Sequence, residues 1–327
     1  MKQREFSNTG IMVSEVGLGT WQLGGGWGEI DDATAMKILH SAVDHGTNFF
    51  DTADVYGNGR SEQLIGKFLK ATDKEIFVAT KIGRGQTPGW PNNFTLNVMR
   101  KHIEACLDRL GLEALDLVQL HCIPTEVLIK GDVFEYLRIL MREGKIKRYG
   151  VSVESMDEAD ICLGQSDLTS LQIIFNIFRQ KPIDRIFEKA KAQQVAIIAR
   201  VPLASGLLTG KFSYNTSFSS NDHRNFNRDG QAFNVGETFA GLPFDKGIKL
   251  IEELRSLVPE NMTMSQMALR WILDYDAVTT VIPGASKLSQ LQSNVSASSL
   301  PPLSPELHLR LNEFYVNSVD PFIRGPY

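Results

Sequence analysis

The feature that most constrains this chain is an alternation of short apolar runs with stretches of helical periodicity. The apolar runs cover residues 14–18, 48–51, 76–81, 115–121, 148–152, 171–176, 196–200 and 279–283. Helical patterns separate most of these runs, and parallel strands need crossovers of about a dozen residues or more. Because eight parallel strands close into a barrel, the pattern predicts an α/β fold, a (β/α)8 TIM barrel.

The connecting segments carry the signals of helix ends. Apolar residues at 35, 38, 39, 42 and 43 share one helical face, which Asp31 or Asp32 can cap and Gly46 can end. Thr95 and Gly111 bracket a second such pattern. Further helices are predicted from residue 61, over 133–143 and over 183–192.

Three segments lie outside the repeat. An N-terminal β-hairpin turning at residues 8–10 precedes the barrel, and an extra C-terminal helix over 305–316 follows it, with the last residues as a tail. Residues 211–245 form a long loop after strand 7, and loops of that length usually serve as lids or binding loops. Its phenylalanines fit a lid and simple self-packing equally well. No linker interrupts the chain, so residues 1–327 are predicted to form a single domain.

The balance of charged residues limits the classes of partner that the chain can bind. The chain has 34 Lys and Arg against 38 Asp and Glu, a net charge of −4, with no block of one sign. This argues against nucleic acid or an anionic membrane, since both need a concentrated basic face. No apolar run has the length of a membrane span or signal peptide, and the 3 cysteines form no CxxC pair. A cytoplasmic protein with small-molecule ligands is expected, and a homo-oligomer stays open.

Polar residues at the ends of the predicted strands define a candidate site, because active sites of such barrels lie at the C-terminal ends of the strands. These residues are Asp51, Lys81, His121, Ser152, Asn176 and Arg200. Tyr56 follows on the loop after the second strand and can lean over the same opening.

Four of these residues form an acid-base set. A free tyrosine has a pKa of about 10, too high for an efficient acid at neutral pH. A Lys81 ammonium beside the phenol is expected to lower the pKa of Tyr56, against the opposing effect of desolvation. Asp51 would hold Lys81 charged and aimed, and His121 would either orient a carbonyl oxygen or share the proton. The hypothesis is that Tyr56 protonates this oxygen during reduction of the carbonyl group.

Each residue also has a structural interpretation. His121 alone is more typical of a hydrogen-bonded structural histidine, and Asp51 with Lys81 fits a buried ion pair equally well. Cys122 brings no further ligands at suitable spacing, so no metal site is predicted. Their joint occurrence at strand ends favours catalysis.

Two other catalytic motifs fit the sequence poorly. The glycine-rich stretch 19–28 lacks the GKS/T ending of a P-loop and is interpreted as a mobile first loop whose Trp21 lines the substrate pocket. No GxSxG occurs, which argues against a serine hydrolase.

Six segments, in order, resemble the aldo-keto reductase family. They are DTADVYG at 51–57, ATK at 79–81, LVQLH at 117–121, GVS at 150–152, VPLASGLLTGK at 201–211 and VIPGASKLSQLQSN at 281–294. The resemblance implies an eight-stranded barrel that binds a nicotinamide dinucleotide without a Rossmann domain. It also implies a catalytic tetrad of Asp51, Tyr56, Lys81 and His121. The absence of GxGxxG after a strand agrees with this.

Residues 284–294 leave the last strand and enter a helix, so their backbone N–H groups offer an anion site. The resemblance implies that the 2′-phosphate of NADPH lies there and that residues 202–207 line the pyrophosphate. Gln290 and Asn294 would lie near the adenine, while Ser152 and Gln172 would hold the nicotinamide carboxamide. The expected cofactor contacts are Thr20, Trp21, Ser152, Gln172, Arg200, Pro202, Leu203, Gly206, Leu207, Gly284, Ser286, Lys287, Gln290 and Asn294.

Three positions depart from the family pattern. Val153 stands where many members have Asn, and Ser286, followed by Lys287, stands where many have Arg. Arg200 replaces a Tyr that stacks on the nicotinamide in many members. A guanidinium can also stack on a flat ring, but it should repel the cationic oxidised ring. The sequence therefore predicts a preference for the reduced cofactor, and NADPH over NADH, with NAD as the alternative.

The predicted function is NADPH-dependent reduction of an aldehyde or ketone to an alcohol, with Tyr56 as general acid. Two alternatives remain. The first is an NAD(P)⁺-dependent sugar or alcohol dehydrogenase, which Arg200 disfavours. The second is a cofactor-sensing interaction module resembling potassium-channel β subunits.

Overall fold

A barrel of eight parallel strands forms the centre of the computed structural model, which describes residues 1–327. Two antiparallel strands precede it, β1 (Gln3–Glu5) and β2 (Met12–Ser14). The barrel strands are β3 (Leu18–Gly19), β4 (Phe49–Asp51), β5 (Phe77–Ile82), β6 (Leu117–His121), β7 (Tyr149–Ser152), β8 (Leu168–Ile174), β9 (Ala196–Arg200) and β10 (Val278–Val281). Every residue of β4 to β10 is buried, which explains why these strands read as continuous apolar runs.

The seam between the first and last strands closes the barrel. Parallel bridges join Val16 to Val281 and Gly19 to Gly284, and the Gly17 N–H donates to the Val281 carbonyl over 2.8 Å. A Cβ at Gly17 would lie 2.9 Å from the Phe49 ring, so this approach requires glycine. The predicted first strand over 14–18 is therefore wrong in its bounds: Ser14 ends the hairpin, and the barrel strand begins at Leu18.

Helices cover the outside of the barrel. They are α1 (Asp32–Asp44), α2 (Arg60–Ala71), α3 (Leu96–Leu110), α4 (Thr125–Lys130), α5 (Asp132–Arg142), α6 (Met156–Leu163), α7 (Glu188–Ala192), α8 (His223–Phe226), α9 (Phe244–Leu254), α10 (Met264–Leu273), α11 (Leu288–Ser296) and α12 (Pro305–Phe314). Asp31 caps α1 by accepting from the Thr34 N–H at 2.7 Å, as predicted. Thr95 precedes α3 but makes no side-chain cap. The sequence analysis missed α4, α6, α8, α9 and α10.

The hairpin closes the end of the barrel at which the strands begin. Phe6 lies in its turn, is fully buried and packs against Phe49 and Phe77, with ring centroids 6.0 and 4.8 Å away. The Arg4 side chain donates to the Tyr275 carbonyl at 2.9 Å and so fastens the hairpin to the chain before β10. The confirmed hairpin is thus a plug for the barrel floor.

The long loop after β9 leads into α9 and lies against the opposite end of the barrel. It contains α8 and short 3-10 turns at Val235–Glu237 and Phe239–Gly241. Phe218 packs against Phe239 and Phe244 at 5.8 and 5.9 Å, so part of the loop has a small apolar core of its own. None of the helices has both the length and the apolar character needed to cross a membrane.

Candidate active site

The C-terminal ends of β4 and β5 bring two buried charges together. The Lys81 ammonium lies 2.6 Å from Asp51 Oδ2 and donates to the Thr52 carbonyl at 2.8 Å. On the loop after β4, the Tyr56 hydroxyl lies 3.3 Å from Lys81 Nζ. Direct polar contacts therefore join three of the four residues that were expected to form the tetrad.

Two other strands of the barrel, β6 and β8, hold the Asp51 carboxylate from its other side. Its Oδ1 accepts from Gln172 Nε2 at 2.7 Å and from Gln119 Nε2 at 3.3 Å. Because a carboxylate can only accept, these bonds orient the Gln172 amide with its nitrogen toward Asp51. Only the oxygen of Gln172 remains for the carboxamide contact that the resemblance implies.

Burial and charge act in opposite directions on the tyrosine and the lysine. Burial raises the pKa of Tyr56, and the attraction of Lys81 offsets this only in part. The expected lowering of the Tyr56 pKa was therefore wrong in sign, since desolvation outweighs the ammonium. Burial opposes the charge of Lys81, but Asp51 and Tyr56 together raise its pKa. At neutral pH the pair is a neutral phenol beside an ammonium.

His121 completes the group at the end of β6. Its ring meets the Tyr56 ring edge to face, with centroids 5.8 Å apart. Burial, and then the charges of Arg84, Lys81 and Arg200, lower its pKa well below the usual range. The imidazole is therefore neutral, with one N–H to donate. Its Nδ1 is buried without a hydrogen-bond partner.

A second cluster of charges lies beside His121. Arg84 bridges Glu154 and Glu237 at 3.0 and 2.9 Å, and Arg200 lies 3.7 Å from Glu237 while donating to the Val153 carbonyl at 3.0 Å. Arg200 is thus not the isolated cation that the sequence analysis assumed.

A metal ion is one conceivable occupant of this region. Cys122, Glu154 and Glu237 place ligand atoms within 4.8 Å of one another. Both carboxylates already face arginines, whose positive charge disfavours a cation there. The group is therefore interpreted as an ion-pair network.

A cavity of about 400 Å³ runs from Tyr56 and His121 to the start of α11. Most of the expected cofactor contacts line it: Thr20, Trp21, Ser152, Gln172, Arg200, Pro202, Leu203, Gly206, Gly284, Ser286, Gln290 and Asn294.

Three expected residues lie elsewhere. Leu207 is fully buried in the hydrophobic core against Gly247, and the Lys287 side chain does not reach the cavity lining. Asn176 lies beyond the end of β8, where its side chain bonds the Val201 carbonyl and the Phe178 N–H. It therefore braces the loop after β9 and does not point into the opening.

The expected anion site before α11 is partly occupied by the protein itself. Gln290 Oε1 accepts from the backbone N–H groups of Ser286 and Lys287, at 2.9 and 3.2 Å, and from the Ser286 hydroxyl at 3.1 Å. Gln290 thus caps the helix from inside and was expected instead to contact the adenine. An anion that takes these donors has to displace the Gln290 side chain.

The long loop covers Tyr56 through a group of aromatic rings. Trp21 stacks on Tyr56 at 5.8 Å, and His223 of the loop packs on Trp21 and Trp27 at 4.6 and 4.3 Å. Phe233 extends the group at 6.0 Å from Trp21. The first loop and the long loop therefore meet above the tyrosine, as a lid would.

Three other aromatic residues, two on the long loop and one on the loop after β5, lie outside this group of rings. Phe226 is 41% exposed and contacts Phe233, and Phe239 is fully buried in the loop's own core. Trp90 is 50% exposed, and its indole N–H donates to the Gly83 carbonyl, so it does not line the cavity.

Several lining residues were missed, among them Gln22, Trp27, Lys211, Arg224 and Glu237. Three of them, Lys211, Arg224 and Glu237, belong to the long loop, whose helical turns are too short for a periodic pattern to mark a position. The length of the loop was the only signal in the sequence for its role. It identified the segment but did not show which of its residues line the cavity.

Comparison with known proteins places this geometry in a family. The model of the aldo/keto reductase family matches residues 15–316. The chain is 29% identical to the aldo-keto reductase YhdN of Bacillus subtilis over 303 residues, 90% of this chain and 87% of that one. It is 28% identical over 322 residues to a probable voltage-gated potassium channel subunit beta of Arabidopsis thaliana, with 93% of each chain covered.

A solved structure agrees with these relatives. The glycerol dehydrogenase AKR11B4 of Gluconobacter oxydans matches with a TM-score of 0.79 and 29% identity, over 97% of this chain and 96% of that one. The protein is an oxidoreductase built on a (β/α)8 barrel. It belongs to the aldo/keto reductase family.

Proposed function

We propose that the protein reduces an aldehyde or ketone to an alcohol with NADPH, and that Tyr56 supplies the proton. The observation that carries this is the Lys81 ammonium, held between Asp51 and the Tyr56 hydroxyl at the mouth of the cavity. An acid next to a buried cation suits the protonation of an oxygen that gains negative charge.

The donors along the cavity fit an anionic dinucleotide. Lys211 contributes positive charge, Arg200 and Arg224 line the cavity as cations paired with Glu237 and Asp222, and Ser286 and Ser289 add hydroxyl groups to the lining. Cations and hydroxyl donors are the groups that bind phosphates. Of the two residues expected to contact the 2′-phosphate, only Ser286 lines the cavity and supports NADPH over NADH. The Lys287 side chain is not part of the lining.

The residues divide the reaction between them. The residues that line the cavity would hold the nicotinamide cofactor, which would supply the hydride for the carbonyl carbon. The neutral His121 imidazole can donate a hydrogen bond to the carbonyl oxygen, which orients it toward Tyr56. Tyr56 gives its proton to that oxygen, and Lys81 stabilises the phenolate that remains. Asp51 keeps Lys81 charged and in place.

The raised pKa of Tyr56 supports the reducing direction. A phenol that stays protonated at neutral pH is ready to act as an acid, whereas alcohol oxidation needs the phenolate as a base. Burial therefore favours carbonyl reduction near neutral pH and moves the reverse reaction to alkaline pH. We also propose that residues 1–327 act as a single domain, in the cytoplasm, which the three free cysteines favour.

Tyr56→Phe tests the proposal. Reduction of a panel of aldehydes, ketones and sugars with NADPH should fall by about 10²–10⁴-fold, the usual contribution of a general acid. The dissociation constant of NADPH, followed by its fluorescence, should stay within about three-fold of the wild type. The substitution removes one protein hydroxyl at one end of the site for a large ligand. Tyr214→Phe, on the exposed part of the long loop, is the matched control. Unchanged turnover in Tyr56→Phe would refute the assignment.

Two other functions have specific support. A solved structure of similar fold is named a glycerol dehydrogenase, which favours oxidation of a polyol as the second candidate. One relative is named a probable potassium channel subunit beta, which favours a cofactor-sensing role as the third. Comparing initial rates in both directions between pH 7 and about pH 10 separates the first two. Tightly retained cofactor with very slow turnover would support the third.

A further inference from the structure

A buried set of charges at the barrel mouth neither donates nor accepts a proton in the transfer described above. Glu237 lies on the long loop, its side chain is 6% exposed, and its Oε1 is 2.9 Å from Arg84 and 3.7 Å from Arg200. Burial alone would favour the neutral acid, but Arg84 and Arg200 hold the pKa of Glu237 below its usual value. Glu237 is therefore a carboxylate in the closed loop.

Only part of this set faces the cavity. Glu237 and Arg200 line it together with Tyr56 and Ser152, whereas Arg84 and Glu154 lie outside the lining. The two arginines and two glutamates balance to zero. A substrate or cofactor in this part of the cavity therefore meets one cation and one anion at short range.

This balance matters for a nicotinamide ring, which is neutral when reduced and carries one positive charge when oxidised. With Arg200 alone, the site would reject the oxidised ring, and the reduced cofactor would be held far more tightly than the oxidised form. An anion beside Arg200 offsets that repulsion, because opposite charges at such distances attract strongly in a partly dehydrated site.

We propose that Glu237 determines the relative affinity of the site for oxidised and reduced nicotinamide cofactor, by acting as the counter-ion of Arg200. This inference rests on the proposed function, since it requires a nicotinamide cofactor in the cavity. Glu237 is a positioning and specificity-determining residue that transfers no proton itself. The position of the long loop brings its carboxylate within 3.7 Å of the Arg200 side chain.

The loop around Glu237 is held by contacts that do not involve its carboxylate. The Ser205 hydroxyl donates to the Glu237 carbonyl at 3.0 Å and accepts from the Phe239 N–H at 3.1 Å. The Thr238 N–H bonds the Val235 carbonyl at 3.0 Å. A change of the side chain charge therefore leaves the main-chain anchor of this turn in place.

The test compares dissociation constants of NADPH and NADP⁺ for the full chain. NADPH is titrated by fluorescence, and NADP⁺ by competition against it. In Glu237→Gln the ratio of the NADP⁺ constant to the NADPH constant should rise by about ten-fold, as expected for loss of one nearby charge in a partly screened site. Glu237→Asp, which keeps the charge, should restore most of the wild-type ratio.

Glu154→Gln is the matched control, because it removes an equal charge from Arg84 but does not line the cavity. Its ratio should stay within about two-fold of the wild type, since its charge lies outside the cavity lining and is more exposed to water. An unchanged ratio in Glu237→Gln, with NADPH still bound, overturns this inference and leaves the proposed function intact. An equal rise in Glu154→Gln overturns it too, since the effect would then belong to Arg84. Wild-type protein that binds neither nucleotide overturns the proposed function and this inference together.

Discussion

Lys81 is the residue on which the arrangement of the tetrad depends. It contacts both Asp51 and Tyr56, and its side chain is 1% exposed. We expect Lys81→Met to abolish most of the activity and to lower the free energy of unfolding by about 3 kcal/mol, because a buried carboxylate loses its counter-ion. Hydrogen bonds from Gln119 and Gln172 keep the loss toward the low end. Urea denaturation and a carbonyl reduction assay measure the two effects.

A double variant separates stability from catalysis. In Lys81→Met with Asp51→Asn the uncompensated charge is gone, so about half or more of the lost stability should return while activity stays low. The Asp51→Asn substitution removes no further function in this variant, because the lysine that Asp51 orients is already absent. If the double variant is no more stable than Lys81→Met, charge is not the cause of the destabilisation.

Asp54 gives a residue-level prediction about pH. It lies on the loop between Asp51 and Tyr56, and its Oδ1 is buried without a partner. Burial, and then the charge of Glu62, raise the pKa of Asp54 to about 7. The folded state therefore holds a proton that the unfolded state releases near pH 4, so this group's contribution to stability declines as pH rises from about 4 to about 7.

Asp54→Asn removes this titration. The variant should gain stability relative to the wild type as the pH is raised from about 5 to about 8, on the order of 2 kcal/mol at the upper end. Denaturation midpoints at several pH values check it, with exposed Asp73→Asn as the control. A constant difference between variant and wild type across this pH range would contradict the assignment.

Among the elements, the C-terminal tail holds the end of the long loop. The Arg324 side chain donates to the Gly241 carbonyl at 2.9 Å and pairs with Asp229 at 2.7 Å. Its backbone N–H also bonds Gly241 at 3.2 Å. Because Glu237 lies between these two loop positions, the tail helps to position the charge that faces Arg200.

Arg324→Ala should loosen this end of the loop. Amide hydrogen exchange over residues 229–241 should become faster, because two anchoring contacts are lost, while exchange in β10 stays slow. The matched control is Arg310→Ala, on the exposed side of α12. Equal exchange of 229–241 in both variants and the wild type would mean that the tail does not restrain the loop.

The helices show where sequence patterns suffice and where they do not. The strands were predictable because burial on both faces leaves long apolar runs. Helix α10 was missed because eight of its residues are buried on all sides, which erases the helical stripe. The capping box of Thr263 and Gln266 was a signal for its start.

The sequence was sufficient to locate the site residues at the ends of strands, but it did not locate those on the loops. Asp51, Lys81 and His121 end strands whose direction is fixed by the barrel, so their convergence follows from topology. The capping role of Gln290 and the position of Glu237 depend on loop conformation, which no periodic pattern encodes. The upward shift of the Tyr56 pKa also needed the structure, since it depends on burial.

On the scale of the whole molecule, the residues that stabilise the barrel floor and the residues proposed to carry out the reaction lie at opposite ends of the barrel axis. Phe6, Phe49 and Phe77 lie at the floor end of a cluster of 9 buried residues inside the barrel, whereas the tetrad lies at the C-terminal ends of the strands. Lys81 follows Phe77 in β5 by four residues, about 13 Å along a strand. Changes at the floor should therefore reach the active site only through global unfolding.

Phe6→Ala tests this separation. Removing a fully buried ring leaves a cavity against Phe49 and Phe77, so the free energy of unfolding should fall by about 3–5 kcal/mol. At a temperature where the variant is still folded, its kcat and its affinity for NADPH should match the wild type. Met12→Ala, at a 45% exposed position of the same hairpin, should change none of these three quantities. Loss of NADPH affinity in folded Phe6→Ala would mean that the floor and the mouth are mechanically coupled through the strands.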